Sequence, residues 1–159
     1  MEVFFIVCNI ISFCCGGIIA RNIKNNIFEK RVKIIQALSD KHFELFILMV
    51  LWVKKGQQGK IIKSYFLENK VTTIAIYGIS YVGECLIDEL KNTDIEVKYA
   101  IDCQINLKRE INIISPYEEF PKVDMIIVTA ISFFDEIQRE LMLKTDIPIV
   151  SIKEIMLLL

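Results

Sequence analysis

The stretch IAIYGISYVGE, residues 74–84, joins an apolar run to a glycine-containing turn and a new helix. Gly78 and Gly83 occupy the first and third glycine positions of the pattern G-x-G-x-x-G, directly after a predicted strand. At the first position glycine permits a tight turn, and at the third it lets the helix pack closely on the strand. The free N–H groups at the start of such a helix favour a phosphate. The stretch therefore predicts a strand–turn–helix unit that binds a nucleotide.

The turn departs from the pattern at its middle position, where Ser80 replaces glycine. A side chain there restricts the approach of a pyrophosphate, although its hydroxyl can donate to a phosphate oxygen. Two interpretations stay open: the turn holds a nucleotide-type ligand, or it is kept for structural reasons alone. Under the first, the predicted binding residues lie in the turn and at the ends of two later strands: Gly78, Ile79, Ser80, Tyr81, Val82, Gly83, Asp102 and Thr129.

Two of these residues follow later predicted strands. Asp102 lies about 20 residues beyond the turn, where a carboxylate holds a ribose diol and favours NAD over NADP; an ordinary turn aspartate is the alternative. Thr129 ends the fourth predicted strand, at the sheet edge where open α/β sheets bind ligands. Its alternative role is to cap a helix that begins near Ser132. Tyr77 and Tyr81 flank the turn and either stack on a base or sugar or serve as packing residues.

Strand and helix patterns alternate from residue 71 to the last residue. Strands are predicted at residues 71–77, 95–101, 111–114, 123–130 and 147–150. Helices are predicted at residues 81–90, 134–143 and 152–159, with a helical turn at 116–120 where proline suits the first helical position. Such alternation implies parallel strands joined by right-handed crossovers. The predicted fold class is α/β: a Rossmann-like parallel five-stranded sheet of order 3-2-1-4-5, with an N-terminal helical extension.

The chain divides by composition into an apolar segment at residues 1–25, a helical lead-in at 26–70 and the Rossmann-like domain at 71–159. The lead-in begins with the spacing of an amphipathic helix, shown by Phe28, Val32, Ile35 and Leu38. The cap-forming residues Ser39 and Asp40 then predict the start of a second helix. The apolar surface of the lead-in suggests packing on the nucleotide-binding domain or pairing with a second copy, so a homo-oligomer is expected.

Residues 3–20 are almost entirely apolar or small. They are long enough to cross a bilayer, which needs about 17–25 residues. Basic residues follow this segment and only Glu2 precedes it, so a span would leave the rest of the chain in the cytoplasm, tethered to the inner face of the membrane. The missing cationic region before the segment argues against a secretory signal. A buried helix, an oligomer contact and an extension of the natural start remain open.

Composition excludes several classes of protein. Hydrophobic residues make up 53% of the chain and charged residues 25%, which supports a packed core and excludes disorder. The 19 basic and 20 acidic side chains give no overall basic excess, so no nucleic-acid partner is predicted. Five cysteines without C-x-x-C spacing indicate reduced thiols in the cytosol. His42 is the only histidine, and no metal site is assigned.

Catalytic motifs are missing from the sequence. It contains no Tyr-x-x-x-Lys pair, no Gly-x-Ser-x-Gly elbow and no His-Glu-x-x-His helix. Cys85 lies one turn into the helix after the glycines and is predicted to pack in the core rather than act as a reactive thiol. Whether the protein is an enzyme therefore stays open, and no catalytic residue is assigned.

Four segments carry a resemblance to known proteins: IAIYGISYVGE, then YAID at residues 99–102, VDMIIVTA at 123–130 and DIPIVSI at 146–152. With them, the chain resembles small Rossmann-like proteins of bacterial surface-polysaccharide gene clusters. It is also similar to the N-terminal nucleotide-sugar-binding domain of sialic-acid-type sugar acyltransferases and, more loosely, to CoA-binding and NAD(P)-binding domains. The lead-in KHFELFILMVLWVKKGQQGKIIKSYF extends the resemblance to residues 41–159.

The resemblance implies a nucleotide or nucleotide-sugar ligand. With the glycine turn and Asp102, it leads to the hypothesis of a cytoplasmic module that serves surface-polysaccharide synthesis by holding a nucleotide-sugar or NAD. It implies no acyltransferase active site, because the hexapeptide repeats of those enzymes do not occur in this sequence. Two alternatives stay open beside the binding module. One is an NAD-dependent oxidoreductase or epimerase acting on a nucleotide-sugar, and the other is a non-catalytic assembly protein with a vestigial nucleotide site.

Overall fold

The structure, a computed structural model, describes residues 1–103 and 111–159, without the side chains of residues 2–20 and 23. The chain forms two compact units, residues 1–43 and 44–159. The helices are α1 (Glu2–Gln57), α2 (Ile62–Glu68), α3 (Tyr81–Leu90), α4 (Phe134–Met142) and α5 (Ile152–Leu158), with a 3-10 turn at Ile131–Phe133. The strands are β1 (Thr73–Tyr77), β2 (Glu96–Ile101), β3 (Ile113–Ile114), β4 (Met125–Val128) and β5 (Ile149–Ser151).

The five strands form one sheet in the order β3-β2-β1-β4-β5, and each neighbouring pair is parallel. The predicted fold class and strand order are therefore confirmed. Strand β1 lies at the centre, between β2 and β4. The chain first adds β2 and β3 on one side of β1, and then returns to add β4 and β5 on the other side. This reversal places the switch point of the sheet at the carboxyl ends of β1 and β4, where doubly wound sheets bind their ligands.

Both faces of the sheet are buried, which explains why the strands are continuous apolar runs. On one face, Ile74 of β1 packs with residues of α2, α3 and α5 and with the fully buried Leu48 of α1. On the other face, Ala75 belongs to a second cluster with residues of β2, β4 and α4. Successive residues of β1 thus enter opposite layers, as the two-residue period of a strand requires.

Glu89 of α3 holds the helices of the first layer together. One carboxylate oxygen accepts from the backbone N–H of Ile62 at 2.9 Å, and the other accepts from the indole N–H of Trp52. The first of these bonds satisfies an N–H group at the start of α2, which has no cap from its own N-cap side chain. A single acidic residue therefore joins the end of α1 and the start of α2 to the helix that follows the glycines.

Helix α1 continues without interruption from Glu2 to Gln57, so the predicted helix start at Ser39 and Asp40 is wrong. Both side chains are exposed in the helix interior, where they occupy solvent-facing positions instead of capping. Good helix formers on both sides allow the helix to continue through them. Among the described residues, no helix is both long and apolar enough to cross a bilayer. The side chains of the predicted membrane segment, residues 3–20, lie outside that description.

The helical turn predicted at residues 116–120 is also absent. The backbone there makes a simple turn, in which the N–H of Glu118 donates to the carbonyl of Ser115 at 3.1 Å. Pro116 supplies the second position of this turn, which its fixed φ also suits. Pro121 prevents a continuation, because the residue before a proline is pushed out of the helical region.

Asp124 fastens the opposite, amino-terminal edge of the sheet. One of its carboxylate oxygens accepts from the backbone N–H groups of Thr72 and Thr73, at 2.9 and 2.8 Å, and from both hydroxyls. These bonds, the two backbone ones foremost, hold the pKa of Asp124 at about 2, below its ordinary value of 3.8. The resulting stability is present above pH 3.8 and is lost as the pH falls towards 2.

We expect Asp124→Asn to lower the free energy of unfolding at pH 7 by less than about 1 kcal/mol, because the site is exposed to solvent. The difference in the free energy of unfolding between the wild type and the variant is expected to decrease as the pH falls below 4. Urea unfolding of both proteins at a series of pH values measures it. A difference that is constant down to pH 2 would contradict the assigned role of the carboxylate.

Candidate functional site

The glycine turn, residues 78–83, connects β1 to α3 at the switch point of the sheet. Gly78 has a φ of 91°, in the left-handed region that favours glycine. Its N–H donates to the carbonyl of Ile101 at 2.9 Å, so the turn begins with a bond to β2. Gly83 lies against the same turn, and a Cβ atom there would be 2.4 Å from the carbonyl oxygen of Gly78. A side chain at Gly78 would therefore be strained by the positive φ, and one at Gly83 would require a shift of the backbone.

Helix α3 begins at Tyr81 without a side-chain cap. Its N-cap residue, Ser80, is exposed and makes no side-chain bond to the first turn. The first N–H groups of a helix have no partner within the helix, and they carry the positive end of its dipole. The backbone donors at the start of α3 therefore have no side-chain cap, and they lie beside the half-buried Gly78.

Asp102 lies directly against the glycine turn. Its carboxylate accepts a hydrogen bond from the backbone N–H of Ile79 at 2.9 Å. The sequence did not predict this contact, because the two residues are 23 positions apart and meet only through the parallel pairing of β1 and β2. The bond fixes the carboxylate at the switch point and satisfies one N–H of the turn.

Thr129 lies behind the turn and supports it. Its side chain is 1% exposed, and its hydroxyl donates to the carbonyl of Gly78 at 2.6 Å, with the carbonyl of Tyr77 at 3.1 Å. The hydroxyl of Thr129 does not cap a helix, which was the alternative from the sequence, because neither the 3-10 turn nor α4 has a side-chain cap. Thr129 instead connects β4 to the turn, at the point where the two central strands separate.

The remaining turn residues divide between solvent and core. Tyr81 is 86% exposed at the start of α3, whereas Ile79 and Val82 are buried. Tyr77 is half-buried at the end of β1. Burial, followed by the neighbouring charges of Cys103 and Glu140, raises the pKa of Tyr77 above its ordinary value of 10.0, so this hydroxyl stays protonated at neutral pH.

Cys85 is exposed, which corrects the prediction that it packs in the core. The buried side of α3 is formed by Val82, Leu86 and Leu90, at four-residue spacing, with Gly83 beside them. A residue at position 85 is rotated away from that side by about a third of a turn, since successive residues advance 100°. An apolar pattern of one helix therefore does not identify every residue that lies inside.

A separate groove lies at the carboxyl end of β5, with a volume of 520 Å³. Its lining includes four acidic and two basic side chains, Glu44, Asp135, Glu136, Glu154, Arg139 and Lys153. Within it Ser132 donates to Glu44 at 2.8 Å, and Lys153 lies 3.5 Å from the same carboxylate. The excess of carboxylates disfavours a phosphate. We therefore place the candidate site at the glycine turn rather than in the β5 groove.

No protein-family model matches the chain, and neither the curated proteins nor the solved structures include a match to it. The class of protein is therefore defined by the fold and by the glycine turn: a doubly wound, Rossmann-like α/β protein with a long N-terminal helix.

Proposed function

We propose that the glycine turn binds the phosphate of a nucleotide, a nucleotide-sugar or NAD, and that the protein serves bacterial surface-polysaccharide synthesis as a binding module. The observation that carries this proposal is the uncapped start of α3, held next to the switch point by Gly78, which has a positive φ, and by Gly83, which packs tightly against it. A helix start of this kind combines free N–H donors with a favourable dipole, and both suit a phosphate. The polysaccharide role rests on the resemblance of residues 41–159.

Asp102 supplies the expected recognition of a ribose. The bond from the backbone N–H of Ile79 holds the carboxylate in place beside the glycine turn. The negative charge repels a 2′-phosphate, so NAD is favoured over NADP among dinucleotides. The exposed ring of Tyr81 offers a surface on which a base or sugar can stack.

Ser80→Glu tests the position of the phosphate. Ser80 is exposed and has an extended backbone, with φ −106° and ψ −167°, so a larger residue fits without strain. A carboxylate beside the helix start would repel the phosphate, and we expect at least a roughly tenfold loss of affinity. Isothermal titration with the ligand that binds the wild type measures the loss. Ser80→Gln is the control of matched size, and equal affinity of the glutamate variant and the wild type would contradict the proposal.

Thermal unfolding with NAD, NADP, CoA, UDP, CDP and UDP-sugars identifies the ligand. A ligand at a hundredfold excess over its dissociation constant stabilises the native state by about 2.7 kcal/mol. For a chain of this size the midpoint rises by about 5–10 °C. A shift with one class of compound would support the proposal and name the class. Unchanged midpoints with every compound would overturn it in favour of the assembly protein.

A further inference from the structure

In the first unit, the part of α1 between residues 21 and 43 exposes one apolar half. Seven large apolar side chains there are 42–66% exposed. One is Phe43 at the end of the segment, and the other six are Ile27, Phe28, Val32, Ile34, Ile35 and Leu38. Their separations of three, four and seven residues place them on the same half of the helix. Together they form a surface that we call the α1 apolar face. Isolated helices are marginal in water, so a face of this size requires a covering environment.

The same segment is strongly basic. Residues 21–43 contain six basic and two acidic side chains, a net charge of +4. Residues 44–159 contain 13 basic and 17 acidic side chains, a net charge of −4. The nearly neutral chain therefore carries a pronounced separation of charge, and the positive part coincides with the α1 apolar face.

Two of the basic residues lie within the apolar half itself. Lys24 and Arg31 are exposed and seven residues apart, and Arg31 is four positions before Ile35 and seven before Leu38. A second copy of the helix packed on this face would bring like charges together in the contact. Lipid phosphates, in contrast, neutralise such charges, while the long stems of Lys24 and Arg31 remain in the apolar region. The charge of the face thus matches an anionic lipid surface better than it matches another copy.

We propose that residues 21–43 form an interfacial helix that lies on an anionic membrane surface, with the α1 apolar face at the level of the acyl chains. Amphipathic helices with basic side chains bind membranes in this way, through apolar burial and attraction to anionic lipids. The proposal is independent of the ligand at the glycine turn. It also differs from a membrane span at residues 3–20, because attraction to lipid charge is required.

Flotation of the full chain with vesicles tests the proposal. We expect strong binding to vesicles of phosphatidylcholine mixed with phosphatidylglycerol and weak binding to phosphatidylcholine alone. Each basic residue near an anionic membrane surface strengthens the binding of the protein to that surface. The double variant Lys24→Gln with Arg31→Gln is therefore expected to bind mixed vesicles roughly 30-fold more weakly. The control, Lys98→Gln with Lys122→Gln, removes the same charge from the second unit and is expected to bind like the wild type.

A second pair of variants tests the apolar face. Phe28→Gln with Ile35→Gln is expected to weaken binding to mixed vesicles, whereas Ala37→Gln, on the other side of the helix, is not. Glutamine is a good helix former, so the helix itself is preserved. Equal binding of the wild type to both kinds of vesicle would overturn the proposal and assign any anchoring to residues 3–20. Concentration-dependent self-association without vesicle binding would overturn it in favour of a contact between copies.

Discussion

Gly83→Ala is expected to lower the free energy of unfolding by about 3 kcal/mol, which is at the upper end of the usual cost of overpacking. The added Cβ atom would lie 2.4 Å from the carbonyl oxygen of Gly78 and 3.4 Å from its carbonyl carbon. Both atoms belong to the backbone of a turn that Thr129 and Ile101 also hold, so no side-chain rotation relieves the contact. Denaturant unfolding of the purified variant measures the loss.

Gly56→Ala is the matched control. Gly56 also lies in a helix, and a Cβ atom there would have nothing within 4 Å. Alanine exceeds glycine in helix propensity by up to about 1 kcal/mol, so this variant is expected to be as stable as the wild type or slightly more stable. If Gly83→Ala were as stable as the wild type, this result would contradict the close approach of α3 to the turn.

Thr129→Val is expected to cost about 2 kcal/mol. Valine keeps the shape of threonine but leaves the carbonyl of Gly78, which faces the buried Thr129, without the hydroxyl donor at 2.6 Å. A buried acceptor that loses its partner costs about 1–3 kcal/mol. The same variant is expected to weaken ligand binding, because the hydroxyl holds the turn in position from behind. Unfolding and titration of one preparation measure both effects.

Thr129→Ser separates the hydroxyl from the methyl group. Serine keeps the donor and loses a buried methyl, for which about 1 kcal/mol is expected. The serine variant should therefore be more stable than the valine variant and should bind ligand more tightly. The opposite order of stability would show that packing, rather than the hydrogen bond to the turn, is what Thr129 contributes.

The local units of the fold were accessible from the sequence because their signals are local. The glycines at 78 and 83 follow an apolar strand and precede a helical pattern, and the predicted strand–turn–helix forms there. The alternation of strands and helices also led to the observed strand order. Each of these inferences depends on neighbouring residues or on the constant handedness of crossovers.

The contacts that build the site were not accessible in the same way. Asp102 meets Ile79, and Thr129 meets Gly78, only after the strands align. The contacts of Glu89 with Ile62 and Trp52 likewise join residues 27 and 37 positions apart. The sequence shows that carboxylates and buried hydroxyls need hydrogen-bond partners. Which distant residue becomes the partner depends on how the sheet and helices pack.

Some local signals were outweighed by their surroundings. Ser39 and Asp40 have the chemistry of helix caps, yet the helix formers around them keep α1 continuous. Pro116 suits the first turn of a helix as well as a simple turn, and Pro121 downstream decides in favour of the latter. In each case the residue is compatible with two structures, and the residues beside it select one.

Amide chemical-shift mapping of the full chain during titration with UDP, a UDP-sugar and NAD shows whether a ligand binds at the glycine turn, because it reports on the N–H groups at the start of α3. We expect one of these ligands to shift the amides of Ser80, Tyr81, Val82 and Gly83 most strongly, with smaller changes at Asp102. Changes confined to the β5 groove, or no changes at any concentration, would contradict binding at the glycine turn.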